Sequence, residues 1–324
     1  MSYMYNFIDS YNLMKNANKI GIFTHRDADG DALGSAFSLY FHLKGLGKEV
    51  EVVSDSIVPP QLEFLGVGGL IKRKPSFSYD LVIATDCNSR EMLGVVKPFF
   101  VGEKSVQFDH HPQNPEFADI NNIELNVSSA SEIVADFFIH NDLKITSEIG
   151  ELLLTGMITD SGGFKFSYLT SKTFNIVGAI IDRSGVEISK VMRKVFESET
   201  RDSFDMQKHA INHTEYLFDG RAVIIKIDYS FYKNTKIDAN ACKFLTRIGT
   251  EQKDVKITCL VSEVQPNVNK VSFRSKDGYD ASACARVFGG GGHKEAAGCK
   301  IYGNFFGVVE KLIRAIGDEL KCKE

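Results

Sequence analysis

Nowhere in these 324 residues do 18 apolar residues run together, so no membrane-spanning helix is expected. The opening segment, MSYMYNFIDSYNLMKNANKI, is interrupted by Asn, Asp, Ser and Lys and lacks the apolar core of a secretory signal. Cysteine is sparse. Cys87, Cys242, Cys259, Cys284, Cys299 and Cys322 are widely scattered and form no CxxC pair, the pattern of isolated reduced thiols in a cytoplasmic protein. A basic excess is lacking too: 38 Lys+Arg stand against 42 Asp+Glu, a net charge of −4, which argues against electrostatic binding of long nucleic acid.

The average conceals an asymmetry. From Tyr216 onward there are 18 basic and 13 acidic residues, a net +5, which leaves 20 basic and 29 acidic (38 − 18 and 42 − 13), a net −9, for the rest. An acidic part able to hold cations is joined to a basic part able to hold anions. The length favours two domains, because single cores rarely grow beyond about 250–300 residues.

The first half alternates short apolar runs with helical patterns. Strands are expected over 20–24, 49–54, 81–85 and 105–108, and helices over 32–46, 133–140, 146–158 and 171–183. Continuously apolar strands alternating with helices imply a parallel sheet covered on both faces. The charged helical stretch 188–215 reads as a connector. Beyond it, β-rich runs at 221–228, 256–263 and 270–274, a glycine cluster and a final helix over 306–320 indicate a smaller α+β domain. The expected division is therefore 1–187, 188–215 and 216–324.

Polar residues gather where this plan places the carboxyl ends of strands, the edge at which ligands collect in parallel α/β sheets. His25-Arg26-Asp27-Ala28-Asp29-Gly30-Asp31 lies between a strand and a helix. Asp86 ends 81–85, Asp109-His110-His111 ends 105–108, and Asp160 follows the apolar stretch 152–158. Singly, each has an ordinary explanation; Asp29 or Asp31 would serve as a helix N-cap. Together, so many acids at one edge repel one another unless cations intervene. Mixed imidazole and carboxylate donors suit Mn²⁺, Zn²⁺ or Fe²⁺ better than Ca²⁺, and paired metals are a device for phosphoryl chemistry.

These motifs resemble those of the DHH phosphoesterase family, which includes RecJ-type exonucleases, family II inorganic pyrophosphatases and nanoRNase/pAp phosphatases. The resemblance implies two divalent ions, with Mn²⁺ expected. One would be held by His25, Asp29 and Asp86, the other by Asp31, Asp86, His110 and Asp160. It implies that His111 contacts the scissile phosphate or assists the leaving group, and that Asp109 orients a neighbouring ligand. It further implies an active site in a cleft between the two domains.

Two segments suggest substrate contacts. Asn126-Val127-Ser128-Ser129-Ala130-Ser131-Glu132 opens a helix whose free N–H groups could bind an anion, with Ser129 and Ser131 as candidates. Gly289-Gly290-Gly291-Gly292-His293 resembles the GGGH loop of the DHH-associated C-terminal domain, and Arg274 fits the arginine that precedes it. Gly291, Gly292, His293 and Arg274 are thus expected at the substrate. Phe164 and Phe166 are candidates for stacking on a base.

The implied substrates are short oligoribonucleotides or 3′-phosphoadenosine 5′-phosphate (pAp). Neither a membrane nor a long duplex is an expected partner, and a homodimer is compatible with the sequence. Pyrophosphate, polyphosphate and linear dinucleotides from cyclic messengers are the competing substrates. A non-catalytic nucleotide sensor would predict a lost metal ligand, and none is lost. A dinucleotide-dependent oxidoreductase fits poorly, because Gly30-x3-Gly34 is not GxGxxG.

Overall fold

The computed structural model describes residues 6–111, 114–165, 169–198, 201–233, 235, 242, 245–292 and 294–322. The chain divides into two compact units, Met1–Ser198 and Glu199–Glu324.

In the first unit the apolar runs become β1 (Lys19–Phe23), β2 (Glu49–Val53), β3 (Ile71–Lys72), β4 (Tyr79–Thr85), β5 (Gly102–Asp109) and β6 (Ile120–Ile123). They form one parallel sheet in the order β3-β2-β1-β4-β5-β6. The helices are α1 (Phe7–Asn16), α2 (Gly30–Gly45), α3 (Ala130–His140), α4 (Ser147–Asp160), α5 (Ser171–Ser184) and α6 (Ile188–Phe196). Successive strand side chains point to opposite faces. Ile20, Ile22, Ile83, Val106 and Phe108 therefore join the core built with Leu33, Phe37, Phe137 and Leu153 of the helices. Phe23, Val53, Val82 and Ala84 face the other way and pack on Leu93, Val96 and Phe100, in and beside the 3₁₀-helical segment Arg90–Phe99. Each fully buried Leu or Phe contributes about 1.5–3 kcal/mol, so both faces stabilise the sheet.

The site depends on how closely α2, α3 and α4 approach. A Cβ on Gly156 of α4 would lie 1.9 Å from Ser131 Oγ and 3.0 Å from Asp31 Oδ1. Gly156→Ala is therefore expected to destabilise the protein by about 1–3 kcal/mol or more through overpacking. A denaturation midpoint equal to that of the parent would show that the three helices yield there.

The second unit contains α7 (Arg201–Asn212), β7 (Thr214–Leu217), β8 (Ala222–Ile227), α8 (Tyr229–Lys233), α9 (Arg247–Thr250), β9 (Ile257–Gln265), β10 (Val268–Ser275), α10 (Ala281–Arg286), β11 (Gly291–Gly292), β12 (Ala296–Tyr302) and α11 (Phe305–Lys321). Its mixed sheet runs β11-β12-β10-β9-β8-β7, with only β8–β9 parallel. One face is covered by α10 and α11. The opposite face buries Met206 and Ala210 of α7, Tyr232 of α8 and Leu245.

The stretch 188–215, expected as a separate connector, is shared between the units. α6 packs on α4 through Val191, whereas α7 packs on β8. Each helix has a buried stripe, and burying it ties the helix to the nearer core. Among the described residues no helix is long and apolar enough to cross a membrane, and no disulfide joins any of the six cysteines.

Candidate active site

The cluster at the carboxyl edge of the first sheet is built from strand ends and helix ends. His25 follows β1, and Ser54 Oγ holds its carbonyl oxygen at 3.1 Å. Asp29 is indeed the N-cap of α2, its Oδ1 accepting from the N–H groups of Asp31 and Ala32 at 3.1 Å each. The cap and a place in the cluster are compatible, for His25 Nε2 lies 3.9 Å from the same oxygen. Asp86 follows β4 with φ 55°, a left-handed conformation uncommon outside glycine. Its backbone N–H still pairs with Phe108 O at 2.9 Å, so the neighbouring strand holds the turn in place. Asp160 does not end a strand but is the last residue of α4, the helix expected over 146–158. A carboxylate there adds to the negative end of the helix dipole, an arrangement that calls for a cation.

Asp31 is fully enclosed. Its two carboxylate oxygens accept from the N–H groups of Ala130 and Ser131 at 2.7 Å each. The expectation that Ser129 and Ser131 bind substrate is therefore corrected. Both are buried; Ser129 caps α3 by accepting from Glu132 N at 3.1 Å, and Ser131 Oγ donates to Asp31 O at 3.3 Å. The anion at this helix N-terminus is the protein's own Asp31.

The donors converge into three overlapping groups: His25, Asp29 and Asp86; Asp31, His110 and Asp160; and Asp86, His110 and His111. Within each group the ligand atoms lie within 4.8 Å of one another. Asp86 Oδ2 is 3.2 Å from His25 Nε2, and Asp86 Oδ1 is 3.5 Å from His110 Nε2. His110 Nε2 is also 3.7 Å from Asp31 and 3.5 Å from Asp160. Asp86 Oδ1 is buried with no hydrogen-bond partner among the described residues. A carboxylate oxygen left so is costly unless a cation meets it. The residues thus fit a pair of divalent ions, with Asp86 placed to serve both.

The electrostatics agree. Burial opposes charge on the imidazoles, yet the surrounding carboxylates, Asp86 foremost, raise His25 to about 9 and His110 to about 10. Burial and the charge on Asp86 raise Asp160 to about 6 against the pull of His110. Burial also works against charge on Asp86, but the imidazoles of His110 and His25 beside it hold it well below the usual carboxylate range. In metal-free protein the imidazoliums take the part of cations, and a metal must displace their protons. Below about pH 9, metal uptake is therefore expected to release protons and to strengthen as pH rises; release should vanish above about pH 10. Calorimetric titration in buffers of different ionisation heat reads this directly, and no proton release at pH 7 would refute it.

His111 lies beside this cluster and is oriented by Asp109. The Asp109 carboxylate accepts from His111 Nδ1 at 2.9 Å, from His111 N at 3.2 Å and from Asn114 Nδ2 at 2.6 Å. The proton is assigned to Nδ1 because its partner is a carboxylate, which leaves Nε2 free for chemistry. Burial lowers the pKa of His111, but Asp109 and Asp86 raise it on balance. Asn114 and Ser54 were missed by the sequence reading, since an isolated amide or hydroxyl carries no motif.

In the second unit Arg274 sits near the end of β10, its guanidinium donating to Phe273 O at 2.9 Å. It has no carboxylate partner among the described residues, and burial lowers its pKa. Gly291 and Gly292 are exposed and form β11 at the sheet edge. Glycine is required beside them because a Cβ on Gly290 would lie 2.3 Å from Gly298 O, and one on Gly292 2.5 Å from Ala296 O. Phe164 packs on Phe174, ring centroids 5.7 Å apart. His293 and Phe166 lie outside the described residues.

A parallel α/β unit with this His/Asp cluster at its carboxyl edge, followed by a mixed-sheet unit, defines a hydrolase of phosphoester bonds. The chain belongs to the DHH family: residues 19–157 match the DHH family N-terminal domain and residues 222–321 the DHHA1 domain. It is 27% identical over 307 residues to the bifunctional oligoribonuclease and PAP phosphatase NrnA of Thermus thermophilus, covering 93% of this chain and 90% of that protein. The Bacillus subtilis protein of the same name is 26% identical over 309 residues, 93% of each chain. The crystal structure of an exopolyphosphatase-related protein from Bacteroides fragilis shares the fold, with a TM-score of 0.90, 24% identity and 98% of each chain covered.

Proposed function

We propose that this chain hydrolyses short oligoribonucleotides and pAp to mononucleotides, with two divalent ions, Mn²⁺ foremost. The observation that carries this reading is Asp86, whose two carboxylate oxygens face His25 on one side and His110 on the other, with Oδ1 lacking a hydrogen-bond partner among the described residues. The names of the Thermus and Bacillus relatives support the substrate class.

His25, Asp29 and Asp86 would hold one ion, and Asp31, Asp86, His110 and Asp160 the other. Such a pair lowers the pKa of bound water and neutralises charge on the attacking and leaving oxygens. His111, held through Nδ1 by Asp109 and protonated at both ring nitrogens, would donate its Nε2 proton to the departing oxygen. Arg274 supplies a charge-assisted hydrogen bond to a substrate phosphate, and the glycines around Gly291 and Gly292 supply backbone N–H groups.

With net charge −4 there is little basic surface for tracking a long strand. RNA of about five nucleotides or fewer is therefore expected to be degraded much faster than a 24-mer. Purified protein with Mn²⁺, assayed on pAp, RNA of graded length, pyrophosphate and polyphosphate, tests the reading. Equal rates on short and long RNA would point to a processive exonuclease, and turnover of pyrophosphate alone would replace the nucleotide reading.

A further inference from the structure

The carboxyl edge of the first sheet does not stop at the His/Asp cluster. Next to β1 along that edge come β2 and then β3, whose carboxyl ends lead into residues 54–58 and Arg73. Between them lies a groove of ≈ 610 Å³ whose lining includes Ser56, Ile57, Val58, Glu63, Gly69 and Arg73. Its Ser56 is tied to the loop that carries Asp29. Ser56 Oγ accepts from the backbone N–H of Ala28 at 2.9 Å, and Ala28 directly precedes Asp29. Neighbouring strands are about 4.8 Å apart, so the groove begins one to two strand spacings from His25, on the order of one nucleotide.

Its chemistry suits a nucleotide. Ile57 is 79% exposed at the wall, a large apolar surface for a base or sugar. Among the described residues the ion pair of Arg73 is with Asp55 Oδ1, through Nε at 3.9 Å, and its side chain is 63% exposed. Its two terminal amino groups are thus available for a bidentate phosphate contact. Glu63 is the opposing charge; as an acceptor it suits sugar hydroxyls or a base amino group, and it would repel a phosphate placed beside it. That gives the groove a direction, with sugar and base towards Glu63 and phosphate towards Arg73.

We infer that this groove is a subsite for the nucleotide next to the scissile phosphate, with Arg73 holding the phosphate beyond it. The inference rests on the nucleotide reading above and adds the determinant that separates RNA from pAp, because pAp has no second nucleoside to fill the groove. Two variants test it. Arg73→Gln removes the charge while keeping a polar side chain of similar reach. Gly69→Phe fills the space from a position where a Cβ meets no atom within 4 Å.

Kinetics on pAp and on a 5′-phosphorylated trinucleotide with Mn²⁺ should show the trinucleotide-to-pAp ratio of kcat/KM falling about tenfold or more in each variant, mainly through KM. An unchanged ratio overturns the subsite. Binding of a phosphorothioate-linked trinucleotide to the full chain is the second readout, with at least roughly tenfold weakening expected in Arg73→Gln. If the parent protein turns over neither pAp nor RNA, the functional reading falls while this binding comparison still decides the groove. Equal affinity for parent and variant, or no binding to either, overturns it.

Discussion

Asp86→Ala is expected to abolish hydrolysis and to lower the metal content of the purified protein. The side chain is buried between His25 and His110, 3.2 and 3.5 Å from their Nε2 atoms, and belongs to two of the three donor groups. Removing it would take a ligand from both of the proposed ions at once. Loss of the charge stabilisation that paired metals provide is worth several kcal/mol, or roughly a thousandfold or more in rate. The metal-free protein should change as well, because the carboxylate that chiefly keeps both imidazoles protonated is gone. The proton release expected on metal uptake should shrink accordingly. Metal analysis, turnover and calorimetry on Asp86→Ala and Asp86→Asn check the three consequences together. Full activity with two ions still bound would remove the central claim.

The second large effect separates chemistry from recognition. His111 is fixed by Asp109 with Nε2 left free, the arrangement of a proton donor or acceptor. His111→Ala should lower kcat by about 10²–10⁴-fold, the usual worth of general acid–base catalysis, with little change in KM. Arg274 contacts no carboxylate among the described residues, and its proposed bond to a substrate phosphate exists in ground and transition states alike. Losing such uniform binding raises KM and leaves kcat largely intact. A charge-assisted hydrogen bond is worth about 1.5–3 kcal/mol, so Arg274→Ala should cost roughly tenfold to a hundredfold in kcat/KM. Pyrophosphate offers no nucleoside phosphate for a separate anchor, so any pyrophosphatase activity should be indifferent to Arg274. Measuring both variants on pAp and pyrophosphate decides the matter. A drop in kcat on both substrates with KM unchanged in Arg274→Ala would refute the division of roles.

Much of this was legible in the residues. Buried parallel strands are continuously apolar, so β1, β4 and β5 stood out, and polar residues directly after them had to lie at one edge of the sheet. α1, β3 and β6 were not legible. α1 buries only Phe7, Ser10 and Met14, too thin a stripe for a helical pattern, and β3 is two residues long. The Ser129–Ser131 segment misled for a physical reason. A helix N-terminus attracts an anion, but sequence cannot say which, and here Asp31 arrives from about 100 residues away.

The sequence by itself determined the two-part plan and the identity of the clustered acids and imidazoles, because periodicity and residue chemistry are local properties. Only the tertiary structure decided which of those groups touch. That Asp86 lies between His25 and His110, and that His110 meets both Asp31 and Asp160, are long-range facts, set by strand order and helix packing. So is the groove beside the cluster, since β2 and β3 become neighbours of β1 only when the sheet forms.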